Sequence, residues 1–239
     1  MSSIDYTLYY GMYSLCSMMV RYSVAVRGEH KDGIPTSFRE VPALTSRSLE
    51  KPIADSLLIT DYLLEKFPRL APEEHVNEIK KRLRELHGLN YYSLSYSGTN
   101  RFTHWLQGEL KNILKDDILK EYRDAIEYKL GVIEQEYVGG LKTETVEEMV
   151  ERTRELLDKM SNLLPAGSKW LFGLEHPTAL DAHLVPFLVR LKDFKRENLI
   201  PANLVQYVAE AEKTTEWRDV MGGRSTYSTA TSVPATTGS

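Results

Sequence analysis

Cysteine is nearly absent: the 239 residues contain one, Cys16, which excludes an intrachain disulfide framework and leaves the fold to be held by its core. A basic excess is missing too. With 30 Lys and Arg against 34 Asp and Glu, a formal charge of -4, no positive field is available for a phosphate backbone, and no nucleic-acid partner is expected. Long apolar runs are also lacking. Gly11, Ser14, Ser17 and Arg21 interrupt the one candidate, far short of the roughly 18 uninterrupted residues of a membrane span, so no membrane partner is expected. The N-terminus has no basic stretch ahead of that run and no signal-peptide pattern. No metal site is read. A cytoplasmic protein acting on a small molecule is the expectation, and 42% hydrophobic residues are enough to build its core.

The order of elements is mixed first and helical afterwards. "IDYTLYYG" is rich in strand formers, "SMMVRYSVAVRG" reads as a helix stopped by Gly28, and "VPALTSRSLEKPI" reads as two short strands around a turn. "ADSLLITDYLLEKFP" then reads as a helix ended by Pro68. Pro68 and Pro72 mark a linker, so residues 1–68 are assigned to one domain and 73–221 to an all-helical second one. In the latter, Val146, Met149, Thr153, Leu156, Met160 and Leu163 recur at helical spacing, behind a capping box of Thr145 with Glu148. A second box, Thr178 with Asp181, opens a helix apolar on nearly every face, the expected centre of that domain, with a kink expected at Pro186. Residues 222–239, dominated by Ser, Thr and Gly, are expected to be a disordered tail.

Two stretches carry chemistry. "SLCSMMVRYS" crowds hydroxyls and the cysteine onto a helix start, where Ser14 is placed as an N-cap beside unpaired amides that favour an anion. "NYYSLSYSGTNRFTHW" spaces Tyr92, Tyr96, Asn100 and His104 four apart, a polar and aromatic helix face that either lines a pocket or faces solvent or a second copy.

Four motifs in order resemble the cytosolic glutathione transferases: "SLCSMMVRYSVAVRG", "VPAL", "IADSLLITDYL" and "FGLEHPTALDAHLVP". The first and last are similar to the zeta class, known for maleylacetoacetate isomerase. The resemblance implies a thioredoxin-like N-terminal domain followed by an all-helical domain, glutathione as cofactor, and a homodimer. Between Gly28 and Val41 there is too little chain for the usual strand and helix, so the second helix is shortened or missing.

Residue by residue, the resemblance implies that Ser14 holds the glutathione thiolate, with Cys16 and Ser17 beside it and Tyr10 as the alternative donor. Cys16 carries a further reading as a mixed-disulfide nucleophile, and a bland one as a small buried side chain. Val41 and a cis Pro42 would pair the cysteinyl backbone. Asp55 and Ser56 would take the γ-glutamyl end. Arg39, with Lys31, is the cation nearest the expected glycine-carboxylate position. Met12, Met18, Tyr92, Tyr96, Asn100 and His104 are read as lining the second substrate's pocket. The chemistry implied is thiolate addition to a conjugated electrophile, ending in cis-trans isomerisation or in a stable conjugate. Met18 and Met19 replace the usual tryptophan-arginine pair, which points to a specialised substrate of the kind found in fungal natural-product pathways. A non-catalytic interaction domain on the same fold is the remaining alternative.

Overall fold

The computed structural model describes residues 6–27, 34–35, 41–47, 49–96 and 101–227. Two compact units emerge, Met1–Gly88 with Arg154–Tyr227, and Leu89–Thr153 with Ser228–Ser239. The expected linker at Pro68 and Pro72 falls within the first unit, where Pro68–Leu70 forms a short 3-10 turn.

The first unit opens with strand β1, Tyr6–Tyr10, helix α1, Leu15–Val26, and strands β2, Ile34–Pro35, β3, Ala43–Ser46, and β4, Ile53–Ala54. The sheet order is β2-β1-β3-β4, with β1 parallel to β2 and antiparallel to β3, and β3 antiparallel to β4. In β1, Tyr6, Leu8 and Tyr10 alternate into the core, as the two-residue period of a half-buried strand requires. No helix is assigned between β2 and β3 among the described residues; the expected stop at Gly28 and the candidate cations Lys31 and Arg39 lie outside those residues.

Helix α1 is apolar almost all round, and it is buried almost all round, packed against three helices of its unit: α2, Ser56–Lys66, α8, Ala179–Asp193, and α10, Thr215–Met221. Met18, read as lining a substrate pocket, is only 1% exposed and Met19 is fully buried, because this helix is walled on several sides. Each such methionine contributes roughly 1.5–3 kcal/mol as core rather than as a recognition surface.

The same unit contains α3, Val76–His87, the second part of α7, Thr143–Asn162, and α9, Ala202–Ala211. Helix α7 starts two residues before Thr145, so that residue is interior and does not cap. The box at Thr178 forms as read: its hydroxyl accepts from the Asp181 N–H, and the Asp181 carboxylate accepts from the Thr178 N–H at 2.7 Å. Asp181 is fully buried and also accepts from Leu171 N–H at 3.0 Å and Tyr207 O–H at 2.8 Å. Burial pushes its carboxyl up while these donors pull it down. α8 runs as one helix through Pro186.

Residues at the head of the expected disordered tail are held in place. Thr226 is fully buried, its N–H and hydroxyl donating to Asp193 Oδ2 at 2.8 and 2.6 Å and its carbonyl accepting from Arg190 at 2.6 Å. Composition did not reveal this, because Asp193 and Arg190 satisfy backbone groups that poor hydrophobicity would otherwise leave to water.

The second unit contains α4, Tyr91–Tyr96, α5, Arg101–Ile113, α6, Lys120–Val132, a π-helical turn over Ile133–Val138, and the first part of α7. Tyr92 stacks on Tyr137 at 4.3 Å between ring centres and meets Tyr96 in a tilted contact at 4.8 Å.

Candidate active site

Strand register brings the candidate residues of the first unit together. Tyr9 is opposite Ala43, and Ala43 is opposite Ala54, so the next positions outward, Tyr10, Pro42 and Asp55, form a row at one end of the sheet. α1 begins just beyond that end. Gly11 is the hinge: a Cβ there would stand 2.9 Å from Val41 Cγ2 and 3.2 Å from Ser14 Cβ, so only glycine allows β1, the Val41–Pro42 loop and α1 to approach so closely. The Val41–Pro42 peptide is cis, as the motif implied.

Ser14 is the N-cap of α1, in extended conformation, and its oxygen accepts the Ser17 N–H at 3.3 Å. That uses a lone pair and leaves the hydroxyl proton. No acceptor takes that proton among the described residues, so Ser14 can cap a helix and donate to an anion at once. The Met18 N–H is taken by the Ser14 carbonyl at 3.0 Å, while the Leu15 N–H adds the positive end of the helix to the same point.

Ser17 plays a different part from the catalytic one expected of it. It is fully buried, and its hydroxyl accepts the Gly11 N–H at 3.1 Å, so it braces the loop under Ser14 and cannot touch a ligand. Tyr10 is buried with the Arg21 guanidinium 4.2 Å above its ring, an arrangement that serves packing.

Asp55 caps α2, accepting Leu57 N–H at 2.8 Å and Leu58 N–H at 3.1 Å through Oδ1. Its backbone has φ 81° and ψ 129°, a region costly for a residue with a Cβ, of order 1–3 kcal/mol. The Ile59 N–H goes to the Asp55 carbonyl at 3.0 Å. Of the first turn's amides, that of Ser56 is left to meet a carboxylate.

Cys16 links the two helix starts. Half-buried, it lies beside the Ser56 side chain and feels the charges of Asp55 and Arg190. Burial, seconded by Asp55, pushes its thiol up, against the opposing pull of Ser56 and Arg190. A reactive cysteine needs the opposite shift.

Behind α2 runs a buried polar chain. The Thr60 hydroxyl donates to the Ser56 carbonyl at 2.7 Å, so the same oxygen must accept from His183 Nε2, 2.9 Å away. With its proton on Nε2, His183 accepts at Nδ1 from His87 Nε2 at 2.9 Å. Burial keeps His183 neutral, and with a neutral ring this order fixes the tautomers. Burial lowers both imidazoles, His87 to about 4, and for His183 the neighbouring His87 adds to the effect.

No protein-family model matches the sequence, and no curated protein does. Solved structures match along nearly the whole chain. A tau-class glutathione S-transferase from mango, Mangifera indica, aligns with TM-score 0.56 at 17% identity over 91% of this chain and 92% of its own. The chain has the glutathione transferase fold. Maleylacetoacetate isomerase from Anaeromyxobacter dehalogenans, with glutathione bound in its active site, gives TM-score 0.56 at 18% identity over 92% and 96%. Glutathione transferase Omega 3C from Trametes versicolor gives 0.56 at 12% identity over 94% and 86%. This is the expected architecture, a small thioredoxin-like sheet domain followed by helices.

Of the residues read as lining the substrate pocket, Met12 and Met18 belong to the first unit of this glutathione transferase fold, and Tyr92, Tyr96 and His104 to the second. Met12 lies in the turn before Ser14, half-buried, and Met18 is core. Tyr92 is buried, with its hydroxyl bonded to Thr103, and Tyr96 is half-buried. His104 is exposed and belongs to α5 rather than α4. The even four-residue ladder is therefore divided between two helices, and Asn100 lies outside the described residues. Sequence reasoning missed Gly11, Thr60, His87, His183 and Arg190. The seven-residue step from His183 to Arg190, two polar groups two turns apart on one face of a largely apolar helix, was the signal that could have found two of them.

Proposed function

We propose that the chain is a glutathione-dependent enzyme of the transferase superfamily that ionises the glutathione thiol at Ser14 and adds it to a conjugated, electrophilic small molecule. One observation carries the reading: Ser14 caps α1 with its hydroxyl proton uncommitted, at the end of the sheet where Val41, cis Pro42, Asp55 and Ser56 also emerge. Glutathione would lie along that row. Its cysteinyl backbone pairs with Val41 beside cis Pro42, its ammonium with Asp55, and its γ-glutamyl carboxylate with the Ser56 N–H. A free thiol with pKa about 8.5 is a few per cent ionised at neutral pH, and lowering it by ~2 units takes ~2.7 kcal/mol. One hydroxyl donor and a helix N-terminus supply stabilisation of that size.

The favoured outcome is cis-trans isomerisation. The thiolate sulfur forms a bond to one alkene carbon, the π electrons move to the conjugated carbonyl, the remaining single bond rotates, and elimination restores the double bond and the thiolate. Glutathione is then a cofactor. The zeta-like stretches at Ser14 and Pro186 and the glutathione-bound isomerase among the structural neighbours support this outcome. A cytoplasmic homodimer in a biosynthetic pathway is the setting proposed with it.

Incubation with glutathione and a panel of enones and polyenes tests the reading. An unchanged mass at a new retention time is the expected product; a glutathione adduct would redirect the proposal to conjugation, and no glutathione binding by calorimetry would remove it.

A further inference from the structure

We infer that Arg190, together with the segment Arg224–Tyr227, positions the Tyr13–Ser14 peptide and thereby sets how readily the bound glutathione thiol ionises. The inference rests on the reading of Ser14 given above and extends it to residues near the end of the described chain.

Arg190 lies on α8 and is 6% exposed. Its Nη2 donates to the Tyr13 carbonyl at 2.8 Å and to the Thr226 carbonyl at 2.6 Å, so one nitrogen spans two segments 213 residues apart in sequence. Tyr13 is the residue immediately before Ser14, and its carbonyl belongs to the peptide whose N–H, that of Ser14, donates to Gly11 at 3.1 Å. Both sides of the peptide are therefore fixed, one by the turn and one by Arg190. Thr226 is in turn anchored through its N–H and hydroxyl on Asp193, one helical turn beyond Arg190. The far end adds a ring contact, Phe194 with Tyr227 at 4.8 Å. A single guanidinium nitrogen thus holds both segments at once.

Charge acts in the same direction as position. A buried cation beside the cap favours an anion at Ser14, since low effective dielectric makes its field felt over several ångströms. Cys16, two residues on, already senses it: Arg190 pulls its thiol down, though burial wins. A bound thiolate facing Ser14 stands in the same field.

The test is the ultraviolet absorbance of bound glutathione as a function of pH, which reads the thiolate directly, with affinity measured in parallel. Wild type should titrate well below free glutathione. Arg190→Met should raise the midpoint by about one unit, a tenfold loss of thiolate at neutral pH, while glutathione still binds. Asp193→Ala leaves the guanidinium intact and releases Thr226; it should raise the midpoint by a smaller, measurable amount and keeps the question answerable if the methionine variant does not fold. A midpoint unchanged in Arg190→Met, or in Asp193→Ala where only that variant folds, overturns the inference even if Ser14→Ala abolishes the low-pH thiolate, in which case the reading of Ser14 stands alone. If wild type binds no glutathione, or binds it as an ordinary thiol, the reading of Ser14 falls and the inference with it.

Discussion

Acidification from pH 7.5 to 5 should cost this protein about 2 kcal/mol of stability through His87 alone. The imidazole is held to about 4 by burial, whereas an unfolded histidine titrates near 6.5. Its folded value is depressed, so the unfolded chain binds the extra proton first. The contribution is complete above about pH 6.5, declines as pH falls, and is exhausted below about pH 4. At pH 5 the unfolded chain is more than nine-tenths protonated at this position and the folded one about one-tenth, which at ~1.4 kcal/mol per unit gives about 2 kcal/mol. That is a large share of a typical 5–15 kcal/mol. Many carboxylates begin to titrate just below this range, so the measurement must be differential. His87→Gln keeps an N–H at the Nε2 position to donate to His183 Nδ1 but carries no titratable group. Urea unfolding at the two pH values should show wild type losing about 2 kcal/mol more than the variant, with unchanged m-values. His183 is present in both chains and cancels to first order. Equal losses would refute both the buried, neutral state of His87 and the tautomer order derived for the chain from Thr60 to His87.

Ser14→Ala should reduce turnover by about 100-fold, the scale of losing one donor to a developing or resident anion, whereas Cys16→Ala should stay within about twofold in steady-state assays. Asp181→Ala strands four donors on Leu171, Thr178 and Tyr207 and should lower stability by about 3–5 kcal/mol in thermal or urea unfolding. Gly11→Ala drives a methyl against Val41 and Ser14; glutathione affinity by calorimetry should fall at least about tenfold, while stability falls by only about 1–3 kcal/mol.

Local features survived from sequence to structure where a single segment determines them. The Thr178–Asp181 box, the strand in "IDYTLYYG", the Ser14 cap and the end of α2 before Pro68 depend on neighbours within a few residues, and the chain displays those neighbours. The order of the four motifs was enough to anticipate the sheet and the cis Val41–Pro42 bond, because it reflects a whole topology rather than any one residue. What was illegible is tertiary. Met18 reads the same whether it lines a cleft or fills a core, and only the helices packed around α1 decide. Thr226 sits in a Ser- and Thr-rich run indistinguishable from a solvated tail until Asp193 and Arg190 are seen across the fold. Thr60, His183 and His87 lie on three helices, 123 and 96 residues apart along their two contacts, and no periodicity links them.

Helix α8 shows what such scattered contacts accomplish together. An apolar helix inside an apolar sheath has little to fix its axial position, since leucine against leucine is nearly as good one turn, 5.4 Å, along. Here Asp181 must reach Leu171 and Tyr207, His183 must reach Thr60 and His87, and Arg190 must reach Tyr13 and Thr226. A slip by a single turn would strand all three at once. The polar side chains act as pegs that give the central helix one seat, and the seat they choose is the one that puts Arg190 behind the serine.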